Sequence, residues 1–386
     1  MIEKIVSDFL QISTTSSPAS LPQELQKAVT AFGWKDLIIY LCDYDQNFLH
    51  PIQPTPASAI LASVPVEGTM AGSCFREQHI LQTPITSTSS QFWVPITERA
   101  NRLGVLELIL ENPDSQTEQY LLQVGFLLAH FVISSNNYTD AYILTKRRRT
   151  LNLSAEIQWD MLLPVPSFTN SVLSLSGIIE PAYDIAGDCY DYSHNENILD
   201  VALFDVMGRG IKATFLSALA LGSYRHNRRQ GLDLEQIAET LDGAIYSRGE
   251  EDSFVRGLFC KFDLDKQQLQ WLSAGQEAPI LFRNGNISRL KGQFSGLLGL
   301  DLDTFVSNTT TLQSGDIIIL FSDGVIDAAP DGGEPFGDER LDELVLHTIN
   351  SYNQTSEITR SIAHKVKQYR DGDLKDDMGI VIIKWK

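Results

Sequence analysis

A short apolar run near the C-terminal end limits what this chain can fold into more than any other stretch. The run IIILF occupies residues 317–321 and follows the turn-forming pair Gly315-Asp316. It is too short for a helix, and its unbroken, β-branched character predicts a strand that is buried on both faces. The rest of the sequence is therefore expected to cover this strand from two sides.

The buried run ends in Ser322-Asp323-Gly324. A carboxylate at the mouth of a buried strand is unfavourable unless it is paired or binds a metal ion. A glycine after it allows the backbone to turn sharply beside the carboxylate. A plain turn explains one isolated tripeptide of this kind. Recurrence of the pattern along the chain is what favours a site.

Other aspartates also stand at predicted strand ends beside glycines. Asp188 follows Gly187, Asp205 ends the strand predicted at 199–204, and Asp376 and Asp377 precede the last strand. Oxygen donors of this type select hard cations such as Mg²⁺ or Mn²⁺. Spacing alone does not show that these segments converge, so a separate cap or turn role for each aspartate stays open.

Composition and charge narrow the function classes. The chain has 386 residues, is 43% hydrophobic and 20% charged, and has a net charge of −19. These values indicate a globular protein of two or three domains, and the negative charge disfavours nucleic acid as a partner. No apolar run approaches the ~20 residues of a membrane span, and the start lacks a signal-peptide layout. We therefore expect a cytoplasmic protein without a membrane partner.

Cysteines and short motifs exclude several enzyme classes. The four cysteines, Cys42, Cys74, Cys189 and Cys260, are scattered and indicate reduced thiols rather than disulfides or a zinc site. The sequence lacks GxxxxGK[ST], a strand-linked GxGxxG and HExxH. The basic run at 146–149 is interpreted as a solvated helix face. None of the histidines has a partner that predicts acid–base catalysis.

The N-terminal part alternates helices and strands, which predicts an α+β domain over residues 1–135. Three segments carry a resemblance, GSCFRE at 72–77 with QTP at 82–84, FWVPI at 92–96 and LGVLEL at 103–108. Together they resemble a GAF sensory domain, which implies a small-molecule ligand or a role in dimerisation only. Cys74 invites a chromophore or redox interpretation, but a small buried cysteine is the favoured one.

A helical linker is predicted over residues 136–165. Ser115 and Glu118 form a capping box that begins a helix, and the helix is predicted to resume at Tyr138 and to continue to Leu163, before Pro164. Its apolar spacing favours pairing with a second copy, and hence a homodimer. The alternative is a helix that packs on its own C-terminal domain.

The C-terminal part, 166–386, reads as strands in two groups with pairs of helices. Hairpins are predicted at 188–205, 254–274 and 279–290, the last across the turn pair Asn284-Gly285. Helices are predicted at 211–226, 234–245, 338–350 and 356–369. This order predicts two packed sheets covered by helices, within an α+β chain.

Six motifs in this part occur in the order typical of one enzyme family. They are IAGDCYD at 185–191, LFDVMGRG at 203–210, WLSAG at 271–275, GDIIILFSDGVIDA at 315–328, PFGDERL at 335–341 and DDM at 376–378. They are similar to the SpoIIE-like sporulation and stress-response branch of the bacterial metal-dependent PP2C (PPM) serine/threonine phosphatases. The resemblance covers about 150–386 and implies an αββα sandwich with two Mn²⁺ or Mg²⁺ ions between the sheets.

The resemblance also implies residue roles. Asp188 and Asp205 would bind or bridge the metals with the carbonyl of Val206, and Asp323 and Asp376 would complete one metal's shell. Asp377 is the weaker choice within its pair. Asp191 would be structural. The four aspartates at 188, 205, 323 and 376 are thereby the expected catalytic residues.

The implied reaction is hydrolysis of a phosphoserine or phosphothreonine by a metal-activated water. The implied substrate is a small regulatory protein, an anti-sigma-factor antagonist, with the N-terminal domain as regulator. Three positions depart from the family pattern, Arg209 and Gln276 where histidine is common and Gly379 where threonine is common. They keep a second hypothesis open, an inactive phosphatase-fold scaffold that binds a signalling partner in response to a ligand.

Overall fold

The computed structural model describes residues 2–30, 32–53, 60–163, 165–180, 183, 187–208, 210–248, 254–301, 304–370 and 376–386. The chain divides into two compact units, 1–150 and 151–386. The division lies between Thr150 and Leu151, so residues 136–150 of the predicted linker belong to the first unit and residues 151–165 to the second. No helix within these described ranges has the length and apolar character needed to cross a bilayer.

The first unit is an antiparallel sheet with helices on both faces. Its strands lie in the order β3-β2-β1-β6-β5-β4. Its elements are α1 (Ile2–Thr15), α2 (Leu21–Thr30), β1 (Trp34–Cys42), β2 (Phe48–Pro51), β3 (Val64–Pro65), α3 (Met70–Glu77), β4 (Leu81–Pro84), β5 (Ser89–Glu98), β6 (Asn101–Glu111), α4 (Thr117–Ser135) and α5 (Ala141–Thr145). The predicted α+β class is thereby confirmed, and the GAF resemblance stays a prediction.

Two apolar layers hold this unit together. Phe9 of α1, Leu25 of α2 and Leu121 of α4 pack on one face of the sheet. Cys74 and Phe75 of α3 pack on the other face. Cys74 is fully buried, and burial raises the pKa of its thiol. This position agrees with a core cysteine.

The prediction of one helix from Tyr138 to Leu163 is wrong. The helix α5 ends at Thr145, and the next helix, α6, covers Leu153–Met161. The reason is local capping, because the Asn152 side chain accepts a hydrogen bond from the backbone N–H of Ala155 at 2.8 Å and fixes a new helix start. Pro164, the predicted stop, lies outside the described residues.

Two smaller predictions near the linker are also corrected. Ser115 does not cap α4. The N-cap is Gln116, which has no side-chain cap hydrogen bond. Asp114 forms the turn before the helix, since its carboxylate accepts from the Gln116 N–H at 3.0 Å and from the Thr117 hydroxyl at 2.9 Å. The basic run is not simply a solvated face, because Arg148 pairs with the buried Asp45 at 2.9 Å. Lys146 lies over the Tyr44 ring, 5.2 Å from its centroid.

The second unit contains two sheets. One has the strand order β15-β12-β11-β10-β9 and the other β14-β13-β16-β17-β8-β7. Its elements after α6 are β7 (Ser167–Thr169), β8 (Leu173–Glu180), β9 (Cys189–Asn195), β10 (Ile198–Val206), α7 (Ile211–Arg229), α8 (Leu234–Tyr246), β11 (Val255–Asp263), β12 (Gln268–Ala274), β13 (Ile280–Arg283), β14 (Asn286–Arg289), β15 (Asn308–Thr311), β16 (Ile317–Phe321), α9 (Asp323–Ile326), α10 (Gly337–Ser351), α11 (Thr355–Arg370) and β17 (Met378–Trp385).

The strand β16 is buried on both faces, as its sequence predicts. Ile318 and Leu320 pack into the core shared with the other sheet and with α7 and α8. Ile317, Ile319 and Phe321 point the opposite way, into the core formed with α10 and α11. Successive strand side chains alternate between faces, so one apolar run serves two cores. The unit is therefore an αββα sandwich, as predicted.

Candidate metal centre

Strand pairing brings the predicted aspartates to one end of the sandwich. Cys189 of β9 lies opposite Phe204 of β10, so Asp188 lies beside the end of β10 that carries Asp205. In the other sheet, Phe321 of β16 lies opposite Ile380 of β17, which puts the residues just before β17 beside those just after β16. Strand register thus brings the predicted residues together within each sheet.

A hydrogen-bonded network joins the two sheets at this end. The Ser322 hydroxyl donates a short hydrogen bond to Asp188 Oδ2 and accepts one from the Gly379 N–H at 2.8 Å. Ser322 and Asp188 are both buried. The hydroxyl therefore fixes the orientation of a buried carboxylate that lies at the edge of the opposite sheet.

Asp377 organises the backbone before β9. Its Oδ2 accepts hydrogen bonds from the N–H groups of Gly187, at 2.7 Å, and Asp188, at 3.2 Å. A Cβ on Gly187 would lie 2.9 Å from Asp377 Oδ2 and 3.3 Å from the carbonyl oxygen of Val206. Only glycine allows this approach without displacement. Asp377 is buried, whereas Asp376 is exposed.

Arg256 connects two more of the predicted ligands. It lies on β11, directly opposite Asp205 on β10. Its Nη1 donates to Asp205 Oδ2 at 2.8 Å and makes a shorter contact with Asp323 Oδ2. Asp323 begins the short helix α9 rather than a simple turn. Gly324 is required there because a Cβ would lie 1.8 Å from the carbonyl oxygen of Asp377.

Burial and like charges raise the pKa values of these carboxyl groups. Burial, then the charges of Asp205 and Asp377, raises the pKa of Asp188 well above its usual range. Burial, then the charge of Asp205, raises the pKa of Asp323 to about 6. Burial raises the pKa of Asp377 to about 7, although two backbone N–H groups oppose the change. A bound cation would offset the repulsion between these carboxylates. Carboxyl groups with strongly raised pKa values are typical of functional sites.

The oxygen donors at this end of the sandwich are of the type that binds a hard divalent cation. Within the part of the chain that the structure describes, no three Asp, Glu, His or Cys side chains are grouped as they are around an ion. Arg256 contacts both Asp205 and Asp323. Carboxylate and carbonyl oxygens without thiols fit Mg²⁺ or Mn²⁺, so the chemistry of this donor set agrees with the predicted metals.

The three departures from the family pattern have different surroundings. Gly379 is enclosed, because a Cβ there would lie 2.8 Å from Leu203 Cδ1 and 3.4 Å from Asp188 Oδ2. Threonine does not fit this position without displacement. The Gln276 side chain is buried, and its amide makes no hydrogen bond among the residues that the structure describes. Arg209 lies outside the described residues.

Asp191 belongs to a separate ion pair behind the site. Its carboxylate is fully buried and accepts from Arg225 Nε at 2.9 Å and from Arg228 Nη1 at 3.2 Å. Arg225 also donates to the carbonyl oxygen of Met161 at the end of α6. These contacts agree with the structural role expected for Asp191.

Sequence reasoning missed two side chains that contact the site. One is Arg256, because a lone arginine on a strand gives no signal of its partners. The other is Gln158 of α6, which is buried and donates a short hydrogen bond to the carbonyl oxygen of Asp188. This contact spans 30 residues of sequence, so no local pattern reveals it.

Comparison with known proteins identifies the domain that holds this site. Residues 195–386 match the family model of Stage II sporulation protein E (SpoIIE). These residues form a SpoIIE-family domain. Asp205, Asp323 and both members of the pair Asp376-Asp377 lie inside the matched region. Asp188 lies just before the matched region, and strand pairing places it beside the end of β10 that carries Asp205.

Individual relatives are distant. The chain is 24% identical over 239 residues to the phosphoserine phosphatase RsbU of Bacillus subtilis, a match that covers 61% of this chain and 70% of RsbU. Protein IcfG of Synechocystis is also 24% identical, over 54% of this chain and 37% of IcfG. A solved structure of the SpoIIE phosphatase domain with part of its regulatory domain, from Bacillus subtilis, has a TM-score of 0.48 and 13% identity, covering 80% of this chain and 82% of that one.

Proposed function

We propose that the chain is a metal-dependent phosphatase that hydrolyses phosphoserine or phosphothreonine on a protein. The observation that carries the proposal is the convergence of Asp188, Asp205 and Asp323 at one end of the sandwich, with raised pKa values for Asp188 and Asp323. Membership of residues 195–386 in the SpoIIE family and the similarity to a phosphoserine phosphatase support it.

In this proposal Asp188, Asp205 and the Val206 carbonyl would hold two Mn²⁺ or Mg²⁺ ions, and Asp323 and Asp376 would supply further ligands. Asp376 is favoured over Asp377 because the Asp377 carboxylate is already used by two backbone N–H groups. When bound, such ions neutralise phosphate charge and lower the pKa of a coordinated water to about 7.

The protein's own groups then hold the ligands in place. Ser322 orients Asp188, and Asp377 fixes the backbone that carries it. Cysteine nucleophilic catalysis is disfavoured at this site. Cys189, the cysteine next to Asp188, is fully buried, and burial raises the pKa of its thiol, so its reactive thiolate form is suppressed.

The proposed substrate is a small phosphorylated regulatory protein of the anti-sigma-factor-antagonist type. This substrate class follows from the family resemblance of the sequence motifs, and the similarity to a phosphoserine phosphatase supports the phosphoserine part of it. A phosphoserine carries a charge of about −1.5 to −2 at pH 7, so a strongly acidic protein needs bound cations to accept it.

Hydrolysis of a generic aryl phosphate by the full chain tests the enzyme proposal. We expect turnover with added Mn²⁺ or Mg²⁺, none with EDTA, and none in the Asp323→Asn variant. A chain that binds metal but does not turn over would favour the scaffold. The contacts of Arg256 with two ligand carboxylates are the observation that keeps that second function in view.

We further propose that the first unit regulates the site through the linker. The helix α6 contacts the centre directly through Gln158, so a shift of α6 would move the Asp188 backbone. The first unit also has a cavity of about 340 Å³, lined by Leu37, Ile38, Ile52 and Leu61 with polar side chains, which suits a largely apolar small molecule. A homodimer and a cytoplasmic location remain predictions.

Replacing Gln158 with alanine is expected to weaken Mn²⁺ binding by about 10- to 100-fold, the usual effect of losing a contact behind a metal ligand. Calorimetric Mn²⁺ titration of the full chain measures it. Asp160→Ala, on the exposed side of the same helix, is the matched control and should bind Mn²⁺ like wild type. Equal affinity in both variants would show that α6 does not act through this contact.

A further inference from the structure

Arg256 forms ion pairs with two of the candidate metal-ligand carboxylates in the second unit. Its guanidinium contacts Asp205, which lies opposite it on the neighbouring strand, and Asp323, which begins α9. Its side chain keeps 29% of its surface exposed. The two carboxylates come from different sheets, so a single positive group joins the two layers at the open end of the sandwich.

The contacts of Arg256 neutralise part of a crowded negative cluster. Asp188, Asp205 and Asp323 bring three negative charges to this end of the sandwich, and Arg256 contacts two of them directly. Charge-assisted hydrogen bonds from arginine to carboxylates are short and directional. The guanidinium therefore makes, from within the chain, the interaction that a bound cation would make.

We propose that Arg256 is a built-in counter-cation that competes with divalent metal ions for Asp205 and Asp323. The inference rests on the proposed metal site. It predicts two effects of opposite sign. Arg256 stabilises the fold when no metal is bound, and it weakens metal binding, because a metal must displace the guanidinium from two carboxylates and remain near its positive charge.

The same chain offers a close control. Arg289 also bridges two carboxylates, Asp338 at 2.7 Å and Asp342 at 2.6 Å, and its side chain is 27% exposed. These partners lie on α10 and are not candidate ligands. Arg289→Gln removes contacts of the same type to carboxylates that are more exposed, 63% and 40% against 11% and 25%. It therefore serves as the control for losing a bridging arginine away from the candidate ligands.

The test measures Mn²⁺ binding by calorimetry and thermal unfolding in EDTA, on the full chain, for wild type, Arg256→Gln, Arg256→Lys and Arg289→Gln. We expect Arg256→Gln to bind Mn²⁺ roughly tenfold more tightly than wild type, the effect of removing one nearby positive charge, and to unfold at a lower temperature in EDTA. Arg256→Lys keeps the charge and should bind Mn²⁺ nearly as weakly as wild type. Arg289→Gln should leave Mn²⁺ affinity unchanged.

The outcomes separate this inference from the proposal beneath it. Mn²⁺ binding by wild type that is lost in Asp323→Asn but unaltered or weaker in Arg256→Gln would overturn the counter-cation role and leave the metal site intact. Absence of Mn²⁺ binding in wild type and in Arg256→Gln alike would overturn the metal site itself. Tighter binding in both arginine-to-glutamine variants would show a general charge effect and would also contradict the inference.

Discussion

Replacing Asp188 with asparagine is expected to reduce metal-dependent turnover by more than about a hundredfold, since even changes behind a metal ligand cost 10–100-fold. The same change should leave the metal-free protein at least as stable as wild type. Asp188 is buried beside Asp205 and Asp377, and removing its charge relieves a repulsion that the hydrogen bond from Ser322 offsets only in part. Turnover with Mn²⁺ and thermal unfolding in EDTA measure the two effects.

The pH dependence of unfolding supplies the control for this variant. The pKa of Asp188 is raised in the folded state, so the native state binds protons more tightly than the unfolded chain. The stability that this group contributes is fully present below the unfolded pKa of about 3.9 and is lost as pH rises through the folded value. The stability difference between Asp188→Asn and wild type in EDTA should therefore increase above about pH 4. A difference that does not change with pH would contradict the electrostatic account.

Replacing Asp191, only three residues away, should lower the stability of the fold and leave Mn²⁺ binding unchanged, the reverse of the effects expected for Asp188. Its buried carboxylate pairs with Arg225 and Arg228. Breaking a buried pair by removing one partner costs about 3–5 kcal/mol, so Asp191→Asn should lower the free energy of unfolding by roughly 3 kcal/mol. Denaturant unfolding in EDTA measures the loss. The Mn²⁺ affinity of the folded variant should match wild type.

The contrast between the two variants is informative because each controls for the other. If Asp191→Asn lost Mn²⁺ binding while remaining folded, Asp191 would be a ligand and the structural role assigned to it would be wrong. If Asp188→Asn unfolded like Asp191→Asn, the repulsion described at the site would not be the dominant effect there.

Much of the architecture follows from patterns that repeat along the strands. The run at 317–321 predicted burial on both faces, and the structure divides its side chains between two cores. The αββα arrangement followed from the resemblance to one enzyme family and from hairpins and helix pairs whose signals are local. Strand register places Asp188 beside Asp205 in one sheet and the end of β16 beside the start of β17 in the other. The contacts of Ser322 and Arg256 then join the two groups.

The contacts that tune the site were not predictable. Arg256 and Gln158 reach their partners across 51 and 30 residues of sequence, and such pairs leave no periodic pattern. The break between α5 and α6 was missed for another reason. Apolar spacing favoured one continuous helix, whereas the hydrogen bond from Ala155 to the Asn152 side chain begins a new one. Local capping outweighed helical periodicity there.

Release of inorganic phosphate from a phosphoserine peptide by the full chain tests the central claim most directly. The account predicts release with Mn²⁺, none with EDTA, and none with Mn²⁺ in Asp323→Asn, while Arg289→Gln releases phosphate like wild type. Release that persists in EDTA, or that is unaffected by Asp323→Asn, would contradict the assignment of this carboxylate cluster as the metal centre of a phosphatase.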